Sequence, residues 1–137
     1  MARLGRLGLT LAPLALVACA TEPAPDRLVG QWGAPMLEIV AGRAAVELHL
    51  PCGARARFPR PLQPDIEGNF RLAGRAKQWY GGFNVVVVGQ AHDAGLRVTL
   101  TETYDGGGQT ISEEELVVGV TPDFPGVVCL ASERIGP

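Results

Sequence analysis

Apolar and polar residues alternate with a period of two along most of this chain, a pattern that fits half-buried strands and leaves little room for helices. Ala44, Val46, Leu48 and Leu50 fall on one face, with Glu47 and His49 on the other. Phe70 and Leu72 oppose Arg71 and Ala73, and Leu96, Val98 and Leu100 oppose Arg97, Thr99 and Thr101. Leu116, Val118 and Val120 extend the pattern towards the end. Turn-forming clusters separate the runs: Ala41-Gly42-Arg43, Asp65 to Asn69, Tyr80-Gly81-Gly82, Asp93-Ala94-Gly95 and Asp105-Gly106-Gly107-Gly108. The spacing predicts strands over 29–33, 36–41, 44–50, 54–58, 69–79, 83–91, 96–104, 110–120 and 127–131, with Pro59 to Pro64 as the longer irregular link. The expected class is all-β: a small antiparallel meander of about eight strands, as a β-barrel or a sandwich. Val85-Val86-Val87-Val88 is apolar on both faces and follows Trp79, Tyr80 and Phe83. It predicts a buried central strand whose outer face is covered by a second sheet, the chain ends, a partner or a ligand.

The N-terminus has a different grammar. Arg3 and Arg6 precede an apolar run from Leu7 to Val17. That run is shorter than the ~20 residues a spanning helix needs, and suits an export signal. Leu16-Val17-Ala18-Cys19 resembles the bacterial lipobox. The resemblance implies a signal peptide over 1–18, cleavage before Cys19, a diacylglyceryl thioether on the Cys19 sulfur and acylation of the new amino group. The competing reading is an ordinary Ala-x-Ala cleavage with Cys19 incidental. Ala20 in place of Asp after the cysteine implies sorting to the outer membrane, facing the periplasm. Residues 19–27, with Pro23 and Pro25, then form a stiff lipidated tether, and 28–137 a single β-domain.

Removing the signal also removes Arg3 and Arg6, which takes the formal charge from −2 to −4. A mildly acidic domain offers no footprint for nucleic acid. Of the three cysteines, lipidation would consume Cys19 and leave Cys52 and Cys129. In an oxidising compartment these two form one disulfide if the fold brings them together. Its closure stabilises by about 4–5 kcal/mol in the chain-entropy model. Two separately buried thiols are the alternative.

Further residues carry a second resemblance. Gly30-Gln31-Trp32-Gly33, Val46-Glu47 before Cys52-Gly53, Pro61-Leu62, Asp65, Gly68-Asn69-Phe70, Gly74, Gly89, Leu96 to Leu100 and Cys129-Leu130 occur in that order. Over about residues 30–130 the chain resembles a family of small, uncharacterised secreted bacterial β-proteins with one disulfide, although it lacks a longer Pro/Gly insert near 80–84. The resemblance implies the β-fold and the cysteine pairing, and no activity.

Residue chemistry points away from catalysis. Ser112 and Ser132 are the only serines, and neither sits in a nucleophile-elbow context. His49 and His92 are far apart and read as solvated surface, no Cys-x-x-Cys or helical His pair suggests zinc, and no cofactor is expected. Asp105 to Gly108 is a hairpin turn and not a phosphate cradle. Glu113-Glu114-Glu115 reads as a charged strand start that discourages edge pairing. Charge distribution is more suggestive. Arg55 and Arg57 share one strand face, while Arg71, Arg75 and Lys77 share another. If the two strands are neighbours, these cations form one stripe for an anionic envelope protein or polymer. The alternative is that they offset the acidic later half of the chain. The expected function is therefore a membrane-anchored, non-catalytic binding or accessory module. Inhibition of a lysozyme or protease, and binding of a small hydrophobic ligand, are the alternatives.

Overall fold

Every second residue of the alternating runs is withdrawn from solvent, and the strands carrying them curl until the first meets the last. The computed structural model describes residues 27–78 and 81–124. Its strands are β1 (Gly30–Ala34), β2 (Leu37–Ala41), β3 (Val46–His49), β4 (Arg55–Phe58), β5 (Asn69–Gln78), β6 (Gly81–His92), β7 (Gly95–Tyr104) and β8 (Gln109–Val118). Each pairs antiparallel with the next, and β1 pairs with β8, giving a closed eight-stranded barrel and not a sandwich. Residues 1–26, the expected strand at 127–131, Trp79, Tyr80 and Cys129 lie outside the described residues.

Leu37, Ile39, Val46, Leu48, Phe58, Val85, Val87, Leu96, Val98 and Leu116 fill the barrel and are fully buried. Small residues set the curvature by making room for rings. The ring of Phe70 on β5 lies against its register partner Gly89 on β6, where an added Cβ would fall 2.2 Å from the ring. Phe58 likewise lies against Gly74, with 2.9 Å available. One end is plugged by the β4–β5 connection, where fully buried Leu62 accepts a hydrogen bond from the Leu28 amide at 2.9 Å.

Three expectations are corrected. Ala44 is exposed, because the Gly42 amide bonds to the Ala45 carbonyl at 2.8 Å and turns the chain before β3 begins. Val118 (63% exposed) and Val120 lie outside the core, since the barrel wall ends where β8 meets β1. The valine run is not covered outside by a second sheet: Val85 and Val87 point inward, while Val88 is 51% exposed and Val86 half-buried.

Strand lengths divide the barrel. β1 to β4 have four or five residues each, whereas β5 to β8 have ten to twelve. At the end opposite Leu62, β8 runs past β1, whereas β5 is level with β4 there, Lys77 facing Arg55, and its extra residues lie on the Leu62 side. The closing register is correspondingly brief, Trp32 with Val118 and Gly33 with Val117. Among the described residues, Gln109–Leu116 of β8 have a strand partner only on the β7 side.

Candidate functional site

Alternation puts Arg55 and Arg57 on the outside of β4 and Arg71, Arg75 and Lys77 on the outside of β5. β4 and β5 are neighbours, with Arg55 opposite Lys77. Arg55, Arg57, Arg75 and Lys77 line a shallow outer groove of about 210 Å³ together with Glu47 and Ala56. Arg71 is not part of it. It sits opposite Val88, further along β5, where its carbonyl accepts a bond from Arg60 at 3.3 Å.

The cations differ in how they are partnered. Arg75 donates to Asp105 Oδ2 at 2.7 Å and Oδ1 at 3.2 Å, and to Asn84 at 3.2 Å. Hydrogen bonding and the opposite charge hold Asp105 below the usual carboxylate range and raise Arg75. On the opposite flank, the hydrogen bond from Arg97 lowers Glu115 most; desolvation opposes it, and the His92 bond and the two charges add smaller lowering effects. Cations and the acidic half therefore do offset each other at Arg75 and Arg97. They do not at Arg55, Arg57, Arg71 and Lys77, none of which forms an ion pair among the described residues. Glu47 faces Arg57 across the β3–β4 ladder, yet its carboxylate bonds to His49 Nε2 at 3.2 Å. The groove thus holds three cations that form no ion pair among the described residues, with Glu47 as the carboxylate in its lining.

His49 is a correction to the solvated-surface reading. Its register partner on β2 is Glu38, an outward-facing carboxylate that is only 8% exposed. His49 Nδ1 lies 2.6 Å from Glu38 Oε1, and Gln31 Nε2 donates to Glu38 Oε2 at 3.0 Å. Gln31 also donates to the Val120 carbonyl and accepts the Gly119 amide at 2.9 Å, which ties the chain after β8 across the outside of β1. Gly33 admits that crossing, since a Cβ there would come within 1.9 Å of the Val120 oxygen. Among the described residues no group of three or more His, Cys, Asp or Glu is placed to hold a metal ion. His92 is exposed, as expected, and bonds to Glu115 at 3.2 Å.

At the end opposite Leu62, beside the part of β8 that runs past β1, lies a larger cavity of about 790 Å³. Phe83, Leu100 and Tyr104 form much of one wall, with Glu102, Thr110, Ser112 and Glu114 around them, and Met36 and Leu50 to Cys52 opposite. Phe83 and Tyr104 pack with ring centroids 5.1 Å apart. The Tyr104 hydroxyl donates to Glu102. Glu114 corrects the reading of the triple glutamate as a strand start. It lies in mid-strand, two residues before buried Leu116, and so shares the inward face. The period-two signal was present in the sequence, but three identical charges masked it.

Cys52 is at the rim of this cavity, at the tip of the Pro51–Gly53 turn and in a left-handed conformation (φ 64°). It is in the disulfide-bonded form. Both other cysteines, Cys19 and Cys129, lie outside the described residues. No helix among the described residues is long and apolar enough to cross a membrane.

Fold and surface together define a small antiparallel barrel with a cationic groove on its wall and an acidic cavity at its mouth. No family model matches the chain, and neither a curated protein nor a solved structure matches it.

Proposed function

We propose that this chain is an exported bacterial lipoprotein, held on the periplasmic side of the outer membrane by lipid on Cys19, whose barrel is a non-catalytic docking module. The lipobox-like Leu16–Cys19 and the export-type N-terminus support the anchoring. One lipid chain holds only marginally, so the amino-terminal acyl group is part of the reading. A Cys52–Cys129 disulfide belongs to it as well, and the resemblance of residues 30–130 to small secreted β-proteins with one disulfide accords with it. The anionic partner, an acidic envelope protein or polymer, docks on the β4–β5 groove. The observation that carries this is the set of Arg55, Arg57 and Lys77 in one groove without carboxylate partners. Like charges gathered on one face repel each other, and an anion relieves that repulsion while being attracted at low salt.

Two measurements test the two halves of the reading. Cys19→Ser should release the protein from membranes washed in salt; a variant that still floats with the membrane fraction sinks the anchoring. For the groove, the detergent-solubilised protein is titrated with fluorescent poly-L-glutamate at low and high salt. Arg55→Glu with Lys77→Glu should weaken binding by about tenfold or more, equivalent to ~1.4 kcal/mol. Arg71→Glu, outside the groove, should leave it within about twofold. Equal loss in both variants would reject the groove as the site.

A further inference from the structure

Both ring nitrogens of His49 face carboxylates, and that arrangement specifies a charge. Nδ1 lies 2.6 Å from Glu38 Oε1 on β2, and Nε2 lies 3.2 Å from Glu47 Oε2 on its own strand. A neutral imidazole has one N–H and one lone pair, so it can donate to only one of the two. With both carboxylates ionised, the two contacts are met together by the imidazolium, which donates from both nitrogens. On β4 the register partner of His49 is Arg55, a like charge for that imidazolium, so the two carboxylates are set against one guanidinium.

Loss of one proton makes the two contacts unequal. Glu38 is the nearer and more buried acceptor, and Gln31 Nε2 already holds it at 3.0 Å. The single N–H of neutral His49 therefore stays with Glu38, and the Nε2 lone pair is left facing Glu47. Two acceptors at that distance repel each other. Glu47 is the exposed member of the three, and its register partner on β4 is Arg57. Directly opposed residues on adjacent strands have Cβ atoms about 4.5–5.5 Å apart, within reach of a Glu–Arg pair. Arg57 lines the groove with Arg55 and Lys77, and Glu47 lines it too. The fourth cation there, Arg75, is already held by Asp105 at 2.7 Å.

We propose that His49 gates the β4–β5 groove by its proton. Protonated, it draws the Glu47 carboxylate away from Arg57 and leaves the cations to an anionic ligand. Neutral, it releases Glu47 onto Arg57, where the carboxylate competes with that ligand. The inference rests on the groove being an anion site and adds its regulation. Binding is strongest on the acid side and declines as pH rises through the range in which histidine ordinarily loses its charge, about 5 to 8. Linkage is reciprocal, so an anion that binds better to the protonated form is taken up together with protons.

The test uses the full protein in detergent micelles and fluorescent dextran sulfate, whose sulfate groups keep their charge throughout that range. Salt of about 0.15 M limits the through-space effect of the His49 charge itself. The parent should bind at about pH 5.5 and lose about fivefold or more of its affinity by about pH 8. Glu47→Gln removes the competing carboxylate and keeps His49, so its affinities at the two pH values should agree within about twofold. His49→Ala should bind weakly at both, and adding Glu47→Gln should restore binding, which separates loss of the gate from loss of the fold. His92→Asn, at the other histidine, should keep the parent's pH response. A parent affinity that does not change with pH, or a Glu47→Gln variant that declines as steeply as the parent, would overturn the gate and leave the groove in place. So would a double variant that binds no better than His49→Ala, or loss of the pH response in His92→Asn. No binding by the parent at either pH would remove the groove and the gate together.

Discussion

Gly89→Ala is the sharpest test of how the barrel interior is packed. The new Cβ would lie 2.2 Å from Phe70 Cζ and 2.7 and 2.8 Å from its two Cε atoms. Carbon atoms in contact prefer about 3.5–4.0 Å, so the ring has to move by about 1 Å or more. Phe70 is 8% exposed, with core on its inner side, and has little space to move into. Overpacking of this kind costs about 1–3 kcal/mol. The lower entropy of the unfolded alanine chain returns about 0.4–1 kcal/mol. A net loss of about 1–2 kcal/mol is expected, a drop in Tm of roughly 4 °C or more for a domain this size. Phe70→Ala alone should cost about 3 kcal/mol or more. In that background Gly89→Ala meets no ring, so it should be neutral or stabilising, and urea unfolding of all four proteins should show the coupling. The steric account is refuted if Gly89→Ala costs the same with and without the Phe70 ring.

Two further outcomes follow from the polar contacts. His49→Ala removes the shorter of the bonds to buried Glu38 and leaves Gln31 as its remaining partner, so a loss of about 1–3 kcal/mol is expected on urea unfolding. A loss below about 0.5 kcal/mol would mean that the cluster is ordinary surface. Asp105 and Glu115 are held below their ordinary values of 3.8 and 4.5, so their contribution is present above those values and disappears as pH falls through the lower folded ones. Asp105→Asn should therefore be less stable than the parent at neutral pH and converge with it in acid; a gap that persists in acid would contradict the sign.

Strand identity was legible because alternation is a local signal. Phe70 with Leu72, and Leu96 with Val98 and Leu100, needed no knowledge of their neighbours to be placed inside. Closure into a barrel was not legible, since it depends on Trp32 and Gly33 meeting Val118 and Val117 from the far end of the chain. The valine run misled for a physical reason: apolar residues on both faces are compatible with a covered strand, but nothing forbids Val88 from facing water. The Glu38–His49 pair was invisible because register across β2 and β3 creates it. In the cationic groove, sequence spacing gave the correct faces for all five cations. It did not reveal that the Asp105 turn reaches back to Arg75, or that Arg71 lies outside the groove.

The unequal strand lengths also set an order of events in time. β5 to β8 are joined by short turns, and each hairpin has many rungs between residues close in the chain, so this half can form early. β1 must wait for β8, more than eighty residues away, and closes on two rungs only. In a chain made from its N-terminus, β1 to β4 exist for some time with one edge unfinished. Their length of four or five residues keeps that waiting edge short and limits how many rungs a wrong partner can find. Hydrogen exchange should accordingly be slowest at the β6–β7 amides and fastest, among ladder amides, at the β1–β8 closure, where the barrel opens without unfolding as a whole.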